Sequence, residues 1–172
     1  MKKVFSLCVI YLVAVSAMAQ NQNVDIDIEI NGNSSSRSRG GYVDLGLPSG
    51  TLWKQQNESG YYTYDEAVTI FGNQLPERHH FVELKNVCRW IWMDDYGYKV
   101  VGPNGNSITL PAAGSRGCYG DGDVNFVGTG GYYWPSTPSD SSGAWCLRFY
   151  SGGVGMDRGV GRCYGHSVRL VQ

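Results

Sequence analysis

Glycine constrains this chain more than any other residue: 24 of 172 positions are glycine, interspersed with aromatics at 13% rather than gathered into a low-complexity tract. Turn residues at that density leave only short segments between them, which favours a turn-rich, mostly β domain. The pattern breaks at the N-terminus. Lys2 and Lys3 precede an apolar run from Val4 to Ser16, and Ala17-Met18-Ala19 supplies the small residues of a cleavage site. Residues 1–19 are therefore expected to be a signal peptide removed on export. A membrane anchor needs roughly 20 apolar residues, and this run is shorter. No membrane span is expected after cleavage, and the mature chain is expected in the periplasm, on the outer surface or outside the cell.

The chain beyond residue 19 suits one domain with a real core better than two. Loss of Lys2 and Lys3 makes the formal charge more acidic than the −1 of the whole chain, and no basic block exists, so nucleic acid is not an expected partner. Cys8 leaves with the signal. Cys88, Cys118, Cys146 and Cys163 remain, a set that permits two disulfides in any of three connectivities, or buried free thiols.

Val24 to Ile30 alternates apolar and acidic residues, as a half-buried strand does, and residues 31–41 (NGNSSSRSRGG) read as a flexible linker. Residues 20–41 thus form an N-terminal strand and linker, and the domain proper is expected over 42–172. Tyr42–Leu45 and Thr51–Trp53 flank a Pro/Gly turn and predict a hairpin. Thr63 with Glu66 makes a capping box for a short helix ending at Gly72, and Leu75-Pro76 opens a second helix in which Phe81, Leu84, Val87 and Cys88 recur at helical spacing. Trp90–Met93, Tyr98–Val101 and Ser107–Leu110 predict a three-stranded meander. Ser115–Gly131 reads as a long surface loop, Tyr132–Trp134 and Ala144–Tyr150 as strands, Ser151–Gly161 as a second Gly-rich loop, and His166–Val171 as a terminal strand.

Several phrases in this order, YVDLGLPSGTLW (42–53), GYKVVGPNGNSITLPAAG (97–114), GYYWPSTP (131–138) and GHSVRLV (165–171), resemble the Fibrobacter succinogenes major paralogous domain, a family common in secreted proteins of gut Bacteroidetes. The resemblance implies an α+β, C-type-lectin-like fold related to formylglycine-generating enzymes and phage tropism determinants. Two short helices would pack on a loop-rich, mostly antiparallel β core. The stretch Gln55–Tyr62 is shorter than in the family, and Pro135 stands where the family usually has Ser. Between Ser139 and Cys163, many positions carry Gly, Ser, Asp, Val, Arg or Cys where the family often has Asn or Tyr, which in related lectin-fold proteins is the mark of diversity-generating retroelements that randomise the ligand-binding face.

Residues that could carry chemistry are few. Calcium-dependent sugar binding in the lectin fold uses Glu-Pro-Asn or Gln-Pro-Asp with Trp-Asn-Asp, and none of these occurs. Asp121-Gly122-Asp123-Val124-Asn125 alternates oxygen ligands but lacks the later Gly and bidentate acid of a calcium loop. No metal and no cofactor is expected. Adjacent His79 and His80 are expected to point in different directions on a helix, as a surface pair. His166 has no nucleophile elbow beside it, and its alternation with Val168 and Leu170 predicts a satisfied buried histidine.

A stronger signal is the mixture of aromatic, Arg and short polar residues in the C-terminal Gly-rich segments. Tyr119, Asp121, Asp123, Asn125, Asp140, Tyr150, Met156, Asp157, Arg158, Arg162 and Tyr164 are the candidate ligand-binding residues. The leading expectation is a secreted, non-catalytic binding module for a protein or glycan on a cell or phage surface. One alternative is a formylglycine-generating type of enzyme using Cys146, Cys163 or Cys118. The other is an envelope or fimbria-like component assembling through Val24–Ile30.

Overall fold

The computed structural model describes residues 38–119 and 122–172. The expected signal peptide, the Val24–Ile30 strand, the linker up to residue 37 and the candidate Asp121 lie outside those residues. The last linker residues already belong to the fold: Ser38–Arg39 (β1) pair antiparallel with Tyr42–Asp44 (β2), which pairs with Leu52–Lys54 (β3) in the expected hairpin.

Local signals act as written through the helical region. Helix α1 spans Tyr64–Phe71 with Thr63 and Glu66 closing the capping box reciprocally, and Gly72 ends it. Helix α2 spans Arg78–Val87 and buries Phe81 and Leu84. Its N-terminus corrects one expectation. His80 turns back so that its Nδ1 accepts from the Glu77 backbone N–H at 2.9 Å, which brings its ring to 3.9 Å from that of His79. The meander comes next as β4 (Arg89–Met93), β5 (Gly97–Val101) and β6 (Ser107–Pro111). The architecture is α+β, with mostly antiparallel sheets. No helix among the described residues is long and apolar enough to cross a membrane.

Both expected Gly-rich loops contain strands. Within Ser115–Gly131, Ser115–Arg116 (β7) pairs with Val124–Asn125 (β8), and Gly130–Tyr133 (β9) begins before the loop's expected end. Gly153–Gly161 is β11, nine residues paired with Gly143–Tyr150 (β10) around a Ser151-Gly152 turn. Its glycines do not break the strand because β10 supplies the ladder. One bulge opposite Trp145 absorbs Gly159, whose φ of 73° favours glycine.

The sheet β9–β10–β11 divides two cores. On one face Tyr133, Leu147 and Phe149 join Trp53, Phe81, Leu84, Val100 and Leu110. On the other, Ala144 and Cys146 join Trp134, Tyr64, Ala67, Val168 and Leu170. Gly165–Gln172 runs beside β9 and contributes to both cores, Val171 to the first and Val168 and Leu170 to the second. It is not the continuous terminal strand expected, because its bridges go to several different elements: Arg116, Tyr62, Tyr133 and Trp53.

The residue holding that segment in place is Arg169, 1% exposed. Its guanidinium donates to the Lys54 carbonyl at 2.7 Å, the Gln55 carbonyl at 2.5 Å, the Thr109 carbonyl at 2.6 Å and the Asn57 amide oxygen at 2.8 Å. Asn57 in turn donates to the Tyr133 hydroxyl at 3.0 Å, and that hydroxyl donates to the Pro111 carbonyl at 2.8 Å. An apolar replacement leaves three part-buried carbonyls without the donor that satisfies them. We expect Arg169→Met to lower the unfolding free energy by about 3 kcal/mol or more, read by urea denaturation; a loss below about 1 kcal/mol would show that the cage contributes little.

Candidate functional site

Strand alternation sends Tyr132, Cys146, Arg148 and Asp157 to the face of the sheet that carries the second core, with Cys146 opposite Asp157 and Arg148 opposite Tyr132. That core stops short of the sheet's far end. There a cavity of about 170 Å³ opens, lined by these four residues together with Phe126, Val160, Tyr164, Ser115 and His166. Arg148 Nε meets Asp157 Oδ2 at 2.8 Å, an ion pair that leaves both side chains partly in water.

His166 forms part of the wall and is 2% exposed. Its Nδ1 lies 3.1 Å from the Ser115 hydroxyl, while Nε2 is buried without a hydrogen-bond partner among the described residues. The expectation of a satisfied histidine therefore fails at one nitrogen, because Trp134, Tyr132 and Tyr164 surround the ring with aromatic carbon. Burial lowers its pKa to about 4, so the imidazole is neutral at physiological pH. The Cys146 thiol is pushed far above its ordinary range by the same cause. The site's buried groups are thus uncharged.

Phe126 stands at the mouth in the left-handed region, φ 67°, and is 60% exposed. The turn around it is over-determined. Its carbonyl accepts from the backbone N–H groups of Thr129 and Gly130, Gly128 donates to the Ala112 carbonyl, and Gly114 packs so closely that a Cβ there would lie 2.2 Å from the Asn125 carbonyl oxygen. Val124 and Val127, near it in the chain, are exposed as well and extend an apolar collar, and Tyr119 in the β7–β8 loop is also exposed.

Of the candidate residues, Asp157 and Tyr164 line the cavity, and Asp123, Asn125 and Tyr119 lie exposed in or beside the β7–β8 loop. Others hold the structure together. Asp140 accepts from the Ser142 and Gly143 backbone N–H groups, which lower its pKa to about 2. Arg162 donates to the Asp140 carbonyl at 2.9 Å and lies over the Tyr64 ring. Met156 packs against the first core, Tyr150 closes the far end of the β10–β11 hairpin, and Arg158 is exposed at the bulge. Phe126, Tyr132, Arg148 and His166 are cavity residues that sequence reasoning does not assign to ligand binding. The exposed aromatic beside Asn125 was a usable signal for Phe126; nothing local marks the others.

Two disulfides were possible, and among the described residues the structure forms one, Cys118–Cys163. Cys88 and Cys146 stay free because they serve different cores, Cys88 packing against the first and Cys146 buried in the second. The bridge ties the β7–β8 loop to the segment that delivers Tyr164. A second concavity, lined by Gln55, Gln56, Tyr96, Lys99 and Thr109, lies over the Arg169 cage and is more polar. Compared with family models, curated proteins and solved structures, the chain matches none.

These contacts carry two expected outcomes. Replacing Cys118 and Cys163 together by Ser should cost about 4 kcal/mol for a bridge spanning 45 residues, and peptide mapping under non-reducing conditions should recover that pair and no Cys88–Cys146 linkage. For His166, the folded pKa of about 4 lies below the ordinary 6.5, so the unfolded chain takes up the proton first as pH falls. Stability is lost between about pH 6.5 and pH 4, by about 3 kcal/mol from this group. An NMR titration should find the His166 ring signals unmoved from about pH 8 to about pH 5; a midpoint near 6.5 contradicts the burial argument.

Proposed function

We propose that this protein is an exported, non-catalytic binding module of C-type-lectin-like fold, whose surface around the cavity engages a protein or glycan ligand on a cell or phage surface. The observation that carries the reading is the arrangement of Phe126, Tyr132 and Tyr164 about one cavity, with the Arg148–Asp157 pair beside them. Aromatic side chains give contact area at low entropic cost, and a paired Arg and Asp give directional hydrogen bonds. Leaving such rings at the mouth of an open cavity costs the free protein apolar burial that a ligand would restore.

A cysteine-based enzyme is less well supported. Cys118 and Cys163 are bonded to each other, and Cys146 is a buried, protonated thiol beside a neutral imidazole, whereas cysteine chemistry needs an accessible thiolate. The proposal that Ser139–Cys163 is genetically diversified fits the fold in one respect. That stretch contains the β10–β11 hairpin, in which alternate positions face the cavity side.

The test is a glycan and surface-protein binding screen with the mature chain, run beside Phe126→Ser/Tyr164→Ser. Both side chains are substantially exposed, so the double variant should keep its melting temperature while losing at least about tenfold in affinity for whatever the wild type binds. Silence of the wild type across the screen, or binding unchanged in the variant, would refute the assignment of this surface.

A further inference from the structure

Resting on the binding reading above, we infer that the cavity is built to accept one tyrosine side chain of a protein partner, its ring between Phe126, Tyr132 and Tyr164 and its hydroxyl on His166 Nε2. Volume sets the first limit. At about 170 Å³ the cavity is well below the roughly 300–1,000 Å³ of sites that enclose a drug-sized ligand. It takes a single ring. The second limit is the wall, which is made of aromatic faces, Val160 and a protonated thiol, with the Arg148–Asp157 pair at the side already bonded to itself. A pyranose would bring several hydroxyls to walls that offer too few partners, and each unmet one opposes binding.

His166 supplies the chemical discrimination. Its imidazole is neutral, and Nδ1 is committed to the Ser115 hydroxyl. If that hydroxyl donates to Nδ1, Nε2 carries the proton and needs an acceptor; if Nδ1–H donates to Ser115, Nε2 needs a donor. A hydroxyl meets either requirement, since it both donates and accepts. A carboxylate or an ammonium meets only one of them and would also bring a charge among rings. A phenylalanine ring would leave Nε2 as orphaned as it now is. Nε2 is closed from water in the free protein, so the hydroxyl reaches it only when a neighbouring ring gives way, and Tyr164, 41% exposed, is the least buried of the three rings around the imidazole.

Phe126 points to a polypeptide as the source of that ring. A bulky residue held at positive φ is strained, and here the strain keeps an aromatic ring outside both cores, at the cavity mouth. Beyond it Val124 and Val127 continue the apolar collar. A free phenol filling the cavity would leave that collar bare. A tyrosine carried on a chain would cover the collar with its flanking residues.

The experiment titrates the full mature chain with p-cresol, toluene, N-acetyl-tyrosine amide and N-acetyl-phenylalanine amide, following the His166 ring nitrogens and the Phe126 and Tyr164 amides by NMR. Both phenols should move the His166 Nε2 resonance and bind at least about tenfold tighter than their deoxy counterparts. Equal affinities within each pair, or shifts confined to residues away from the cavity, overturn the proposal. Binding of p-cresol with the tyrosine amide excluded would reassign the cavity to free phenols and overturn the polypeptide source. His166→Phe should erase the phenol preference. Should that variant fail to fold, the comparison on the wild-type protein decides alone. Val160→Phe, on an edge strand, fills the cavity and leaves the rim. A screened ligand lost with Phe126→Ser/Tyr164→Ser yet retained by Val160→Phe sinks the tyrosine pocket while the binding reading stands; loss with both supports the pocket.

Discussion

The four hydrogen bonds of the Arg169 guanidinium end on three main-chain carbonyls and one amide oxygen. A buried cation satisfied by carbonyls rather than by a carboxylate has its position dictated by the backbone around it. Lys54 and Gln55 leave the first hairpin, Thr109 belongs to the meander, and Asn57 reaches the sheet through Tyr133. One side chain near the C-terminus therefore fixes where the hairpin, the meander and the β9–β11 sheet stand. Burial lowers the Arg169 pKa to about 10, still far above neutrality, so the charge and its donors persist at physiological pH.

The cavity inherits its place from this arrangement. With Arg169 anchored, the residues before it run back along the sheet, and His166 arrives between Trp134 and Tyr132. The second core draws on α1, which is short and ends at Gly72. Too little helix is available to cover the far end of the sheet, and the cavity is the uncovered remainder. The Cys118–Cys163 disulfide limits how far the β7–β8 loop can drift from Tyr164.

Much of the frame was legible because its causes are local. Thr63 with Glu66, the Pro/Gly turn after Leu45 and the paired apolar runs of the meander each specify their element within a few residues. β11 was not legible. Gly153, Gly155, Gly159 and Gly161 lower strand propensity, and only the register against β10 makes them a strand. Arg169 was hidden for a related reason. A charge in a terminal segment reads as solvent-facing until its carbonyl partners are brought to it, and Lys54 lies 115 positions away in the chain and Thr109 lies 60. Asp157 and Tyr164 could be named from composition, whereas Tyr132, Arg148 and His166 acquire meaning only when three separate segments converge. Asp140 and Arg162 show the converse, since polar residues in a Gly-rich stretch can be fastening a turn.

The same alternation explains how this face could change without loss of the fold. Along β10, Leu147 and Phe149 enter the first core, while Cys146 and Arg148 face the cavity. Opposite them, Met156 belongs to the core face, and Gly155 and Asp157 to the cavity face. A substitution at Arg148, Gly155 or Asp157 meets cavity or solvent rather than close-packed atoms, and a Cβ on Gly155 would have only the Asp157 carboxylate near it, at 4.0 Å. Core positions on the same strands have no such latitude, because interiors packed at crystal-like density register the change of a single methylene. A hairpin with one close-packed face and one open face can thus separate the residues that hold the structure from those free to vary. The Arg169 cage lies on the far side of that division, so variation at the cavity leaves its carbonyls undisturbed.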